Sequence, residues 1–314
     1  MASKKASVYF VLITALLDVT GFGIIIPVIP NLLAEMNNIS INEASTYGGY
    51  LLTAFAIAQF LCSPIMGSLS DQYGRRPILL FSLFGLSIDY LILAFAPNFT
   101  WLVIGRIIAG IGGASFTTAS AYIADVSTDE NRAQNFGLLG AAFGLGFILG
   151  PMLGGIFGEF GVRVPFYLAA VLSFLNFLYG LFLLPESLPK DKRRPFDWMR
   201  ANPVGTLRQL ASYTTIGWLL VAFFFLHLSG HAISSNWTYF TMFEFDWTER
   251  TVGLSLAYVG VLVSVVQAGL SQKTESWIGT NRTIYLGLGL YAIGLFLFAF
   301  ASASWMMFAF LIPY

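Results

Sequence analysis

The 314-residue sequence is short of charge. Asp, Glu, Lys and Arg make up 10% of it, where a soluble domain carries about 25%. Sixteen acidic and sixteen basic residues cancel to a net charge of zero, which leaves neither a basic footprint for nucleic acid nor an acidic tail. A nucleic-acid partner is excluded on that ground. Cysteine is almost missing as well. Cys62 stands alone, so no internal disulfide and no CxxC metal or redox motif can form, and it reads as a small apolar residue of a membrane helix. Histidine is limited to His227 and His231. Four apart, they share a helix face, but without an HExxH motif or a third ligand nearby they define no zinc site. No metal or other cofactor is expected. A Walker A motif is lacking, which argues against ATP as a driver. GxSxG and clustered intramembrane carboxylates are lacking too, which argues against a membrane-embedded enzyme.

What the sequence has is hydrophobic residues, 57% of the total with 16% aromatic, in runs long enough to cross a bilayer. Spans are predicted near 8–33, 46–69, 78–97, 99–124, 135–158, 164–185, 214–240, 251–272 and 283–302. A tenth run starts at Trp305 and reaches Tyr314, too short to cross about 30 Å at 1.5 Å per residue. A truncated sequence is the expectation. The long polar interval from Glu186 to Tyr213, with Pro189, Pro195 and Pro203, reads as a solvated linker. It divides a six-helix bundle, 1–185, from an incomplete second bundle, 214–314. Placing the N-terminus in the cytoplasm puts thirteen of the sixteen basic residues on that side: Lys4, Lys5, Arg75, Arg76, Arg132, six in the linker, Lys273 and Arg282. That asymmetry sets the expected orientation. Lys4 and Lys5 precede a run too long for a signal-peptide core, so it is expected to stay attached.

Charge at membrane depth is costly, which directs attention to Asp18, Asp89 and Arg106. Asp18 lies mid-span ahead of Gly21, Gly23, Pro27 and Pro30, a pattern for a helix that bends around a polar cavity. Its alternative role is a hydrogen bond to a neighbouring helix. Arg106 reads either as a functional cation or as an interhelical hydrogen-bonding post, and Asp89 as structural. In the fifth span, Gly140 to Gly155 places glycines four apart around Gly146, Gly150, Pro151 and Gly154. This is a seam for close helix packing that a Gly-Pro step loosens. Trp237, Tyr239 and Phe240 line a cavity or sit in an interfacial belt. The most specific signal is the joint Gly67-Ser68-Leu69-Ser70-Asp71-Gln72-Tyr73-Gly74-Arg75-Arg76-Pro77. Asp71, Arg75 and Asp125 all fall at the same predicted ends of spans two to four, where opposite charges can pair.

These residues carry a resemblance to the major facilitator superfamily and, within it, to drug:proton antiporters of the tetracycline-efflux type. The joint at Gly67 to Pro77 resembles the superfamily's loop motif, Gly140 to Gly155 the antiporter motif, and Gly105-Arg106 the fourth-helix arginine motif. The likeness continues through Leu17-Asp18, Pro27, Pro30, Gln59, Asp89-Tyr90, Ala124-Asp125 and Trp237. It implies an all-α integral membrane fold of the major facilitator type, here nine complete transmembrane helices plus the start of a tenth, from a twelve-helix protein. It further implies a bacterial inner-membrane carrier that exports a small amphipathic drug in exchange for protons, rocking two bundles about a midplane site. Its partners are then the drug, protons and membrane lipid. The resemblance assigns proton coupling and substrate contact to Asp18, Gln59, Arg106 and Trp237, and His231 is added as a titratable candidate in the seventh span. Gating falls to Gly67, Asp71, Gly74, Arg75, Arg76 and Asp125, and helix packing to Gly146, Gly150, Pro151, Gly154 and Gly155. The second half departs from the pattern. Val263 and Tyr291 stand where the tetracycline exporters carry a histidine and an aspartate, and Gly269 to Arg282 lacks the aspartate and paired arginines of the first joint. A channel or a membrane-embedded enzyme are the alternatives.

Overall fold

In hydrocarbon a backbone N–H or C=O finds a partner only within its own helix, so each apolar run closes into one. The computed structural model describes residues 2–113, 115–198, 201–203, 205 and 217–314. The first span divides in two. Helix α1, Ala2–Ile25, ends in a turn at Pro27, and α2, Ile29–Asn37, restarts with Pro30 in its first turn, where a missing N–H costs nothing. Asn38 then closes α2 in the left-handed region at φ 53. Helix α3, Ile41–Tyr73, opens on a reciprocal cap between Ser40 and Glu43. At 33 residues it outruns the hydrocarbon, which carries Asp71 clear of it.

Helix α4, Arg75–Phe95, follows directly after Gly74. The fourth crossing is interrupted at Gly113, giving α5, Phe99–Gly112, and α6, Ser115–Val126. Helices α7, Arg132–Gly158, and α8, Val164–Leu183, complete the first six crossings. After the linker come α9, Gly217–Phe245, and α10, Glu249–Val265. The chain continues through a π-helical turn, Val266–Leu270, into α11, Ser271–Ile278, and then α12, Thr280–Phe298, and α13, Ser304–Phe310. Eight crossings among the described residues are helices long and apolar enough to span a membrane: α1, α3, α4, α5 with α6, α7, α8, α9 and α12. The expected span 251–272 is different. It is broken at Gly269 into α10, the π turn and α11 rather than running as one α-helix.

Helix α1 is the centre of the first six crossings, packed on α7 and α8, while α4 bridges α8 and α5, and α3 lies along α5. One core cluster gathers Ile24, Val28, Leu33, Tyr90, Leu102 and Phe166 at the α2 end. A second, around Val11, Leu79, Tyr122, Ile123 and Leu184, fills the end next to the linker. Between helices in lipid the gain comes from close packing, and small residues permit it. The seam on α7 shows why. A Cβ at Gly150 would lie 2.7 Å from both Gly23 Cα and Thr20 O on α1, and one at Gly155 would lie 2.6 Å from the Glu249 carbonyl of α10. Helix α7 therefore touches both halves of the molecule through bare backbone.

The expected linker is only partly solvated coil. Arg194 N donates to the Asp71 carbonyl at 3.1 Å, and Asp197 N to Ser68 Oγ at 3.4 Å, which lays the segment across the α3–α4 joint. Linker positions Arg200, Arg208 and Tyr213 lie outside the described residues, as do the side chains of Lys4 and Lys5.

Candidate functional site

The fourth crossing turns at Gly113, and side chains from two helices meet it there. Asp18 Oδ2 on α1 accepts the Ser115 hydroxyl at 2.6 Å. Gln59 Nε2 on α3 donates to the Gly113 carbonyl at 3.2 Å. Asp18 and Gln59, expected at one site, thus both bond next to the same helix interruption. Ser115 was not singled out by sequence reasoning, and nothing in its flanks marks it. Its hydroxyl meets Asp18 only in the folded chain.

Arg106 is turned elsewhere. It is buried and paired with the fully buried carboxylate of Asp89 across α4 and α5. Gly105 makes the approach possible, since a Cβ there would sit 2.7 Å from Asp89 Oδ1. A buried charge left alone costs several kcal/mol, so each member holds the other in place. Arg106 therefore joins helices within the first six crossings rather than standing free beside Asp18. Trp237 is also buried, with its Nε1–H donating to Ser255 Oγ at 2.9 Å and its ring packed edge-on to Trp247 and Phe298. It belongs to the core cluster of α9, α10 and α12. His231 is exposed on α9. Among the described residues, no group of three His, Cys, Asp or Glu side chains is placed to hold a metal ion.

At the α3–α4 joint the sequence-predicted charges meet. Arg75 Nη1 reaches Asp71 Oδ1 at 2.5 Å and Ser70 Oγ at 3.0 Å, and its Nε donates to Asp125 Oδ2 on α6 at 3.1 Å. One guanidinium fork so ties α3, α4 and α6 together. Gly74 stands at φ 109, and a Cβ there would run into the Glu186 carboxylate. Both the dihedral and the space demand glycine. Glu186 is the residue missed from the sequence. Its Oε1 accepts from Arg75 N at 2.8 Å and its Oε2 from Arg76 N at 3.3 Å, which caps α4 with an anion that suits the positive end of the helix. Arg193 stands 3.9 Å from the same carboxylate. The Arg76 guanidinium donates to the Leu181 carbonyl at 2.6 Å. A Cβ at Gly67 would meet open space.

The two halves touch at the end away from this joint. Asn31 on α2 donates to Glu249 at the start of α10, and Arg250 Nη1 lies 3.7 Å from Glu159 Oε1. Gly253 packs on the Pro151 carbonyl, and Gly48 on the Tyr239 ring.

Comparison with known proteins agrees with this architecture. The Major Facilitator Superfamily profile matches residues 11–313. The class C tetracycline resistance protein of Escherichia coli is 41% identical over 312 residues, covering 99% of this chain and 78% of that one. The class B protein of Escherichia coli is 37% identical over 313 residues, with 98% and 76% covered. Among solved structures, the human organic anion transporter MFSD10 (TETRAN) superposes with a TM-score of 0.74 at 24% identity, over 99% of this chain and 82% of that chain. A bacterial homolog of the human lysosomal transporter Spinster, inward-facing and unoccupied, gives 0.77 at 17% identity, over 99% and 72%. The structural matches speak for the fold, and the sequence matches for kinship. The chain belongs to the Major Facilitator Superfamily of membrane transporters, alongside its tetracycline resistance proteins.

Proposed function

We propose that this chain exports a tetracycline-like amphipathic drug across a bacterial inner membrane in exchange for protons, with Asp18 as the coupling carboxylate. The observation that carries the reading is the placement of Asp18 on α1, bonded to Ser115 where the fourth crossing is interrupted. A proton-dependent carrier needs a carboxylate at membrane depth that is tied to a helix able to bend, and this one is tied to a helix already broken. Kinship to the tetracycline resistance proteins supports the substrate class.

Residues 1–185 act as one bundle, 186–213 as a cytoplasmic linker, and 214–314 as part of the second bundle. The N-terminus is cytoplasmic. In that frame the chain has nine crossings and the opening of a tenth at α13, with α10, the π turn and α11 together making the eighth. The polar contacts between the halves named above then lie at the outer face, Asn31 with Glu249 and Arg250 with Glu159. This arrangement fits a carrier closed to the outside. Gating at the cytoplasmic face rests with Asp71, Gly74, Arg75, Arg76 and Asp125, held by Glu186. Gln59 and His231 complete the substrate contacts.

In inverted vesicles bearing the full-length protein, tetracycline uptake should run uphill and collapse with the proton gradient. Asp18→Asn should bind drug and release no protons. Drug-induced proton release that persists in Asp18→Asn overturns the assignment, and uptake that only equilibrates the drug indicates a channel.

A further inference from the structure

Asp18 is satisfied on one side only. Oδ2 has the Ser115 hydroxyl, whereas Oδ1 is enclosed by protein and meets no hydrogen-bond partner among the described residues. Among the enclosed oxygens that share that condition, two lie on neighbouring helices against the same stretch of α1: Tyr90 Oη of α4 and Ser173 Oγ of α8. Both residues are 1% exposed. They converge on the face of α1 that carries Asp18. A Cβ built at Gly21, three residues along, would lie 3.3 Å from Ser173 Oγ and 3.4 Å from Tyr90 Oη, and positions three apart on a helix are neighbours.

An enclosed polar group without a partner costs about 1–3 kcal/mol, and three of them along one face of α1 are the setting in which a protein holds an ordered water. A carboxylate at this place would receive hydrogen bonds through that water. A carboxylic acid would donate to it instead. Tyr and Ser hydroxyls both donate and accept, so the same three side chains satisfy either state by turning their O–H bonds.

We propose that Asp18 Oδ1, Tyr90 Oη and Ser173 Oγ hold one ordered water, and that the exchanged proton rests on this trio inside the first bundle, between α1, α4 and α8. The inference deepens the reading of Asp18 as the coupling group and rests on it. Tyr90 and Ser173 are positioning residues. They touch the proton site through water and leave the drug to other residues, so proton and drug need not compete for the same atoms. Binding of one reaches the other through α1 and its Ser115 bond at the helix break. Other ionisable groups on these helices are Asp89 on α4, already paired with Arg106 of α5, and Tyr179 on α8, its ring tilted against Phe10 toward the linker end. The α7 face against α1 presents Gly146, Gly150 and Pro151, and α6 presents Ser115 and Thr118.

The test uses the full-length protein in proteoliposomes with tetracycline as the probe, following drug binding and drug-induced proton release across pH. Tyr90→Phe and Ser173→Ala should each keep drug affinity within about twofold and move the pH midpoint of proton release by about one unit, the worth of one hydrogen bond to a charged group. Ser173→Thr, which restores the hydroxyl, should return the wild-type profile. A wild-type profile in both Tyr90→Phe and Ser173→Ala, with Asp18→Asn inactive, overturns the trio and leaves the Asp18 reading standing. Proton release that persists in Asp18→Asn overturns both. Loss of drug binding in Tyr90→Phe or Ser173→Ala would place that residue in the drug site and also overturn the proposal. Ser173→Ala, which removes one small atom, keeps the test decisive if Tyr90→Phe fails to fold.

Discussion

Arg75 on α4 donates through Nε to Asp125 Oδ2 on α6 at 3.1 Å, across fifty residues of sequence, while its Nη1 holds Asp71 of α3 at 2.5 Å. Asp71 is partly exposed, so its pair contributes less than about 1 kcal/mol to stability. Its effect on transport should be larger, because it fixes the ends of three helices relative to one another. Asp71→Asn is expected to impair vesicle transport while membrane insertion, followed by protease accessibility, stays as in wild type. Arg75→Lys should fail to substitute, since an ammonium lacks the fork that reaches both carboxylates. Wild-type turnover in either variant would remove the gating role.

The Asp89–Arg106 pair should behave differently. Both side chains are buried, so Asp89→Asn strands a buried guanidinium and should cost about 3–5 kcal/mol. Replacing the two together by apolar residues of similar volume should recover most of that loss. Thermal unfolding in detergent reads both effects, and a double variant no better than the single would show that the pair is not what the site requires.

Glycines along α7 should divide sharply. Gly150→Val drives a side chain into Gly23 and Thr20 of α1, whereas a Cβ at Gly140 meets nothing within 4 Å. Gly150→Val is expected to lose folded protein in size-exclusion chromatography and Gly140→Ala to retain it. Equal yields would mean that the seam relaxes.

Orientation is accessible by labelling. With Cys62 replaced by serine, a cysteine at Lys192 should react with an impermeant maleimide only in inverted vesicles, and one at Asn38 only in intact cells. The reverse pattern would invert the topology.

Val263 is exposed on α10, at the place to which the resemblance gives a histidine. Val263→His alone is expected to add no second coupling site, and in an Asp18→Asn background it should not restore drug-induced proton release. Restoration would move the proton path into the second half.

How much could be read in advance follows from where each signal lies. The apolar runs, Pro27 and Pro30, the glycine seam and the charges of the Gly67 to Pro77 joint are local, and hydrocarbon leaves a long apolar run little choice but a helix. Eight of the spans, the bend after α1 and the pairing of Asp71, Arg75 and Asp125 were legible for that reason. Other features depend on which helices come together. Asp18 could bond to any neighbouring helix, and only the interruption at Gly113 sets Ser115 against it. Arg106 could face a cavity or a carboxylate, and the packing of α4 on α5 through Gly105 decides for Asp89. Glu186 reads as the first residue of a solvated linker until the end of α8 returns it to the start of α4. Asn31 and Glu249 are 218 residues apart, with nothing in either flank to name the other. By itself the sequence determined the helices, the membrane and the charged joint, because burial and backbone hydrogen bonding act along a single segment. Tertiary structure decided the partner of each buried polar group, because that depends on which helix faces which.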